Sequence, residues 1–354
     1  METSGGVVPD LFVACEPDAC EGVVNMGCTY LGDEEHLVKE ETAFGSLSNA
    51  QCYYAKTSTI QPGAYRFAQS LLFLGEPAFR QAVTSGAYDF VLRVDADSVL
   101  LPGLLWLHPE KHDAWLGEGF LGVPLTFAQL GKFTAEEMGL QEVVPNAFTE
   151  RSHLQSSFYV RADQALAFCD RLLKAIEVLR ERAFTEKKCA ELEASPEAKE
   201  LAPGKHNLCR WPYWFRDNSA LYGTSIAANT LFEEILVTDM LDALAAPIRK
   251  EYTTKADYLV QAHLIQQKHA LLKEAIETKD ALCTHKEKYI AQALASHRKK
   301  RVRLIFQAFL AEDPDESSVY YYIADIFLRA VQDRYCPDFA DRMPAGQKEF
   351  AYLV

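Results

Sequence analysis

The stretch from Tyr88 to Leu107 constrains this chain more than any other. An apolar run, Phe90 to Val94, ends in two carboxylates spaced i, i+2, Asp95 and Asp97, and Pro102-Gly103 then breaks the chain. A run this short, this apolar and this rich in branched side chains predicts a buried strand. Ligands of open α/β sheets sit outside the carboxyl ends of strands. Two carboxylates there make a hard-oxygen site for Mg²⁺ or Mn²⁺. Such an ion can hold a diphosphate and neutralise the charge on a leaving phosphate ester. The competing reading of Asp-x-Asp is a solvated loop, because the triplet recurs by chance. The strand before it and the Pro-Gly stop after it bring the metal reading level with the loop reading.

The 354 residues give room for one large domain or two smaller ones. A formal net charge of −14 argues against a general nucleic-acid or anionic-membrane binder. It leaves a phosphate ligand open, since a bound divalent ion supplies local positive charge. No apolar run reaches the roughly 18 residues that span a bilayer, and the first residues lack the basic and apolar regions of a secretory signal. As written, the chain reads as cytoplasmic; as part of a longer precursor it would read as lumenal, in the endoplasmic reticulum or Golgi. Cys15, Cys20, Cys28 and Cys52 crowd the N-terminal region without a Cys-x-x-Cys, which argues against structural zinc. In a lumen two local disulfides would fit there; otherwise most of the nine cysteines read as buried free thiols.

Along the chain, Leu11–Cys15 predicts a buried strand and residues 20–60 predict loops and short elements. Helical spacing follows from Gly63 to about Gly75, with a further turn over Ala78–Thr84, and then the strand that carries the carboxylates. This strand–helix–strand order predicts a parallel α/β sheet. Gly117, Gly119 and Gly122 spell Gly-x-Gly-x-x-Gly, but Pro124 follows where a dinucleotide-binding helix would begin, so that fingerprint is rejected. Phe120–Val123 and Ser156–Val160 predict short strands. Ala165, Leu166, Cys169, Leu172, Leu173, Ile176 and Leu179 line one face of an amphipathic helix. Glu186–Gly204 reads as a solvated linker. Trp211-Pro-Tyr-Trp214 opens the densest aromatic cluster, and Ser219–Thr230 and Leu231–Leu244 both predict helix. Tyr258–His263 predicts an apolar strand ending in histidine. Beyond Leu271 the chain becomes helix-like, and the basic run His297–Arg303 reads as a solvated helix face.

Tyr88–Gly103 resembles the Asp-x-Asp segment of nucleotide-diphosphosugar glycosyltransferases with the GT-A fold. Within them it is similar to a eukaryotic group, common in algae and protists, whose segment reads approximately Leu-Arg-Thr-Asp-x-Asp-x-Phe-Leu-Thr-Pro-Gly. Three further blocks fit that group in order: Tyr65–Leu74, Ser156-Ser-Phe-Tyr159, and Trp211-Pro-Tyr-Trp214 with Leu221–Asn229. The resemblance implies a Rossmann-like, twisted, mostly parallel sheet flanked by helices over residues 1–270, with its opening strand–helix unit short or missing. Residues 271–354 would be a C-terminal helical extension, a possible seat of homo-oligomer contacts. The implied reaction moves a sugar from a UDP- or GDP-sugar to an acceptor hydroxyl, with Mn²⁺ or Mg²⁺ held by Asp95 and Asp97. A late histidine often completes such sites; His263 is the candidate and His269 the fallback.

The remaining roles each have a plain structural alternative. Arg93 would pair with Asp95 or Asp97, or reach the diphosphate. Gln69 and Ser70 lie on the helix that the resemblance puts near the nucleotide, and otherwise form an ordinary polar helix face. Ser156 falls in a substrate block of the group. Trp211 and Trp214 would stack on a sugar face or else belong to the core. Asp217 is the candidate general base for an inverting transfer, or a helix N-cap. Two other functions compete with the transferase: a catalytically silent GT-A-like scaffold or binding module, and a metal-dependent phosphoester hydrolase. The hydrolase would need further acidic or histidine ligands near residues 88–103, where Asp89 alone is on offer.

Overall fold

The structure, a computed structural model, describes residues 10–15, 20–25, 27–31, 51–56, 71, 73–95, 98–105, 112–117, 120–121, 133–134, 136–140, 153–154, 157–196, 199, 219–238, 240–241, 261–263, 320–321, 323 and 325. It is an α/β protein that divides into two compact units. The first comprises residues 1–94 and 109–238, the second residues 95–108 and 239–354.

The first unit opens with a small parallel sheet. Strand β1 (Leu11–Cys15) and strand β2 (Thr29–Tyr30) both pair with β3 (Cys52–Lys56), in the order β1-β3-β2. Parallel neighbours need a crossover, and the short helix α1 (Cys20–Asn25) begins the first one. Disulfides Cys15–Cys20 and Cys28–Cys52 tie these elements together, and their sulfurs pack with Val23 and Tyr54. Asp10 sets the entry to β1: one carboxylate oxygen accepts from the Gln51 N–H at 2.9 Å, the other from the Tyr88 hydroxyl at 2.5 Å. The expectation of mostly free cysteines is overturned, because Cys15, Cys20, Cys28, Cys52 and Cys189 are all disulfide-bonded. Among the described residues Cys169 is the free, buried thiol. Strand β3 is also new to the reading of residues 20–60. Its adjacent Tyr53 and Tyr54 are both buried, which hides the alternation by which a half-buried strand is recognised.

A four-stranded sheet of order β10-β6-β9-β4 follows in the same unit. It consists of β4 (Phe90–Arg93), β6 (Ala114–Gly117), β9 (Phe158–Arg161) and β10 (Ile235–Thr238). Strand β10 runs parallel to β6, whereas β9 runs antiparallel to both β6 and β4. Strand β9 separates strands that would otherwise be parallel neighbours, so this sheet is mixed and not mostly parallel. Strands β7 (Phe120–Leu121) and β8 (His153–Leu154) form a separate antiparallel pair.

Helix α2 (Pro77–Thr84) leads into β4; Pro77 at its first turn needs no hydrogen-bonding N–H there. Helix α3 (Ala162–Val178) starts directly after β9 and continues through a π-helical turn, Leu179–Ala183. Its expected apolar face is the buried one: Ala165, Cys169, Leu172, Ile176 and Leu179 are all nearly inaccessible. Phe168 joins them, edge-to-face with Phe158 of β9 at a ring distance of 4.9 Å and stacked on Phe232 at 5.5 Å. Burying each such large side chain contributes about 1.5–3 kcal/mol. Helix α5 (Ser219–Leu231) crosses α3 through small residues, Ala220, Gly223 and Ala227.

Two expected features are corrected here. The stretch read as a linker from Glu186 contains helix α4 (Glu186–Ala194). The Thr185 side chain caps it by accepting from the Lys188 N–H at 3.3 Å, and Leu192 anchors it in the core. The helix expected over Leu231–Leu244 is replaced in part by β10, because Ile235-Leu-Val-Thr238 finds a parallel partner in β6. Tertiary pairing overrides local propensity in this segment.

The described part of the second unit is β5 (Ser98–Leu100), β11 (Gln261–His263) and the 3₁₀ turn Pro102–Leu105. Leu101, Leu104, Leu241 and Ile323 are buried. Tyr320, Tyr321, Ile323 and Asp325, the described residues beyond His263, are helical. The boundary expected at residue 270 lies outside the described residues. No helix among the described residues is long and apolar enough to cross a membrane.

Candidate metal centre

Strand β4 delivers the chain to the candidate site. Its last residue, Arg93, stands opposite Phe158 in the ladder and is only 3% exposed. Val94 and Asp95 follow, both half-buried. The Ser98 N–H then donates to the Asp95 carbonyl at 3.0 Å, the i to i+3 hydrogen bond of a β-turn. Asp95 thus opens a hydrogen-bonded turn, whereas Asp97 lies outside the described residues.

After that turn, β5 pairs antiparallel with β11 in the register Ser98↔His263, Val99↔Ala262, Leu100↔Gln261. His263 is therefore brought opposite the residue that follows Asp97. Two motif fragments that are far apart in the sequence meet in one two-stranded ladder of the second unit. The strand expected at Tyr258–His263 is present in its last three residues.

Ser98 was not among the expected site residues. Its hydroxyl oxygen is buried and finds no hydrogen-bond partner among the described residues. An unsatisfied buried hydroxyl costs about 1–3 kcal/mol, so such a group calls for an explanation. No sequence signal marks it, because its significance depends on which strand pairs with β5.

The donor chemistry fits a divalent ion. Asp95 and Asp97 offer hard carboxylate oxygens, which suit Mg²⁺ and Mn²⁺. An imidazole from His263 shifts the preference toward Mn²⁺. Among the described residues no group of three His, Cys, Asp or Glu comes together around one point. Asp97 and the side chain of His263 lie outside the described residues. So do Gln69, Ser70, Ser156, Trp211, Trp214, Asp217 and the fallback His269.

Elsewhere the described chemistry offers little competition. Burial pushes the Cys169 thiol up to about 12, with help from the Asp170 charge, so it is no nucleophile at neutral pH. Burial, and secondarily Asp89, pushes the Tyr159 phenol to about 12 as well. A cavity of about 20 Å³ beside Phe12, Tyr53, Phe73 and Glu76 has room for a water and none for a nucleotide sugar. Burial raises the Glu76 carboxyl at its edge.

Neither the curated proteins nor the solved structures offer a match to this chain. One family model matches residues 3–308, a span that includes β4, β5, β11 and every candidate site residue. The chain belongs to that family, described as a domain of unknown function, DUF7164.

Proposed function

We propose that the chain is a metal-dependent glycosyltransferase of the GT-A kind, moving a sugar from a UDP- or GDP-sugar to an acceptor hydroxyl. The observation that carries this reading is the β5–β11 ladder, which brings His263 into register beside the Asp-x-Asp segment. A solvated Asp-x-Asp loop has no need of a distant strand that ends in histidine. A phosphoester hydrolase would need more ligands than this stretch supplies.

In this reading Asp95, Asp97 and His263 hold Mn²⁺ or Mg²⁺. The ion, when bound, neutralises negative charge on the departing diphosphate. The two carboxylates fix its position, and the imidazole favours Mn²⁺ over Mg²⁺. Gln69, Ser70, Arg93, Ser156, Trp211, Trp214 and Asp217 keep the roles that the resemblance gives them. In an inverting transfer Asp217 would take the proton from the acceptor hydroxyl as its oxygen attacks the anomeric carbon.

The cysteines favour one of the two compartments considered. Disulfides Cys15–Cys20 and Cys28–Cys52, and the bonded state of Cys189, support folding in an oxidising lumen or outside the cell. Of the two expected compartments this supports the lumen of the endoplasmic reticulum or Golgi over the cytoplasm.

Calorimetry of UDP and GDP binding, with and without Mn²⁺, tests the function on wild type and on Asp95→Ala/Asp97→Ala. Metal-dependent binding that the double variant loses is the expected result. A folded wild type that binds neither nucleotide in the presence of Mn²⁺ would overturn the transferase and leave the scaffold reading in its place.

A further inference from the structure

We propose that Ser98 is a positioning residue of this metal centre, whose hydroxyl oxygen accepts a hydrogen bond from the imidazole N–H of His263 that does not face the ion. The proposal rests on the metal-site reading above. Three observations lead to it. The Ser98 hydroxyl is buried and has no hydrogen-bond partner among the described residues. Ser98 stands opposite His263 in the ladder, and opposed residues of an antiparallel pair have Cβ atoms about 4.5–5.5 Å apart. The Ser98 N–H is already engaged by the Asp95 carbonyl at 3.0 Å. That bond fixes Ser98 against the carboxylate segment and leaves the hydroxyl to serve a neighbour.

The chemistry of histidine ligands supplies the missing partner. A histidine uses one ring nitrogen on the metal and donates from the other to an oxygen nearby. That second bond selects the tautomer and holds the ring at the correct angle. A serine hydroxyl can accept it. An orphaned hydroxyl and an expected ligand that needs an acceptor thus occupy facing positions of one ladder. Among the described residues nothing else compensates the buried Ser98 hydroxyl.

The test is titration of the full chain with Mn²⁺ alone, followed by the electron paramagnetic resonance of the free ion. Ser98→Val and Ser98→Thr have the same shape and differ in the hydroxyl. Circular dichroism checks that each variant folds, and Ser98→Ala replaces Ser98→Val if valine is not accommodated. Ser98→Val is expected to weaken Mn²⁺ binding about 10- to 100-fold. Ser98→Thr should bind nearly as wild type does. Because Ser98 acts through His263, adding Ser98→Val to His263→Ala should weaken binding no further.

Asp95→Ala/Asp97→Ala separates this proposal from the reading beneath it. If that double variant abolishes Mn²⁺ binding while Ser98→Val leaves it at the wild-type level, the metal centre stands and the role of Ser98 is refuted. The role is refuted equally if Ser98→Val weakens binding as much with His263→Ala as without it. Wild type that binds no Mn²⁺ overturns both.

Discussion

Gly223 shows how much a single missing side chain decides. A Cβ at this position of α5 would lie 2.9 Å from Ile176 Cγ1, 3.1 Å from Leu172 Cδ1 and 3.3 Å from the Leu172 carbonyl oxygen. Both neighbours belong to α3 and are buried, so neither can swing into solvent. Alanine would recover about 1 kcal/mol of helix propensity, but overpacking typically costs about 1–3 kcal/mol. The carbonyl contact involves backbone, which cannot yield by a rotamer change. Because the carbonyl contact pushes the cost toward the upper end, Gly223→Ala should lower stability by up to about 2 kcal/mol net, read as an earlier denaturant midpoint with an unchanged m-value. A variant as stable as wild type would mean that α3 and α5 adjust more freely than their packing implies. By comparison, the ion pair between Arg80 and Asp170 is a small term. It has two hydrogen bonds, at 2.6 and 3.2 Å, but both side chains are well exposed, so it contributes at most about 1 kcal/mol.

At the scale of elements, the N-terminal sheet depends on its cross-links. Strand β2 has two residues and β3 has five, too little surface for a large apolar core. Cys28–Cys52 closes a loop with a sequence separation of 24 between the end of α1 and the start of β3. Removing loop-closure entropy of this size from the unfolded chain stabilises by about 3 kcal/mol. Cys28→Ser/Cys52→Ser should lose about that amount, with amide exchange rising first in β1, β2 and β3. If exchange there stays at wild-type rates, the sheet holds by packing alone. The sequence revealed elements in proportion to how local their cause is. Helix α3 was legible because its apolar stripe is long and periodic, and β4 because its run is apolar and sharply ended. Helix α4 was hidden by charge density, although Thr185 as its cap was there to be read. Strand β10 was hidden because four branched residues after a helix fit either structure until β6 offers a partner. The candidate centre divides in the same way. Asp95 and the strand ending in His263 were visible as motifs, whereas Ser98 acquires meaning only through the register that opposes it to His263.

For the whole molecule, the division into units makes the metal reading local. Asp95, Asp97 and His263 all belong to the second unit, although the first two follow directly on β4 of the first. The excursion of residues 95–108 out of the first unit takes both carboxylates with it, and β11 pairs with that excursion. An ion bound by these three residues would link the excursion to the C-terminal part of the second unit and hold the β5–β11 ladder closed. Binding only to the folded state stabilises it by about 2.7 kcal/mol at a ligand concentration a hundredfold above Kd. Opening of a two-stranded ladder should be slowed accordingly. Hydrogen exchange with and without Mn²⁺ at that excess should therefore show added protection at β5 and β11, with α3 and α5 of the first unit unchanged. Protection spread evenly over both units would point to a general effect of the ion on folding. Protection confined to α3 and α5 would put the ion elsewhere and remove the ladder from the account of function.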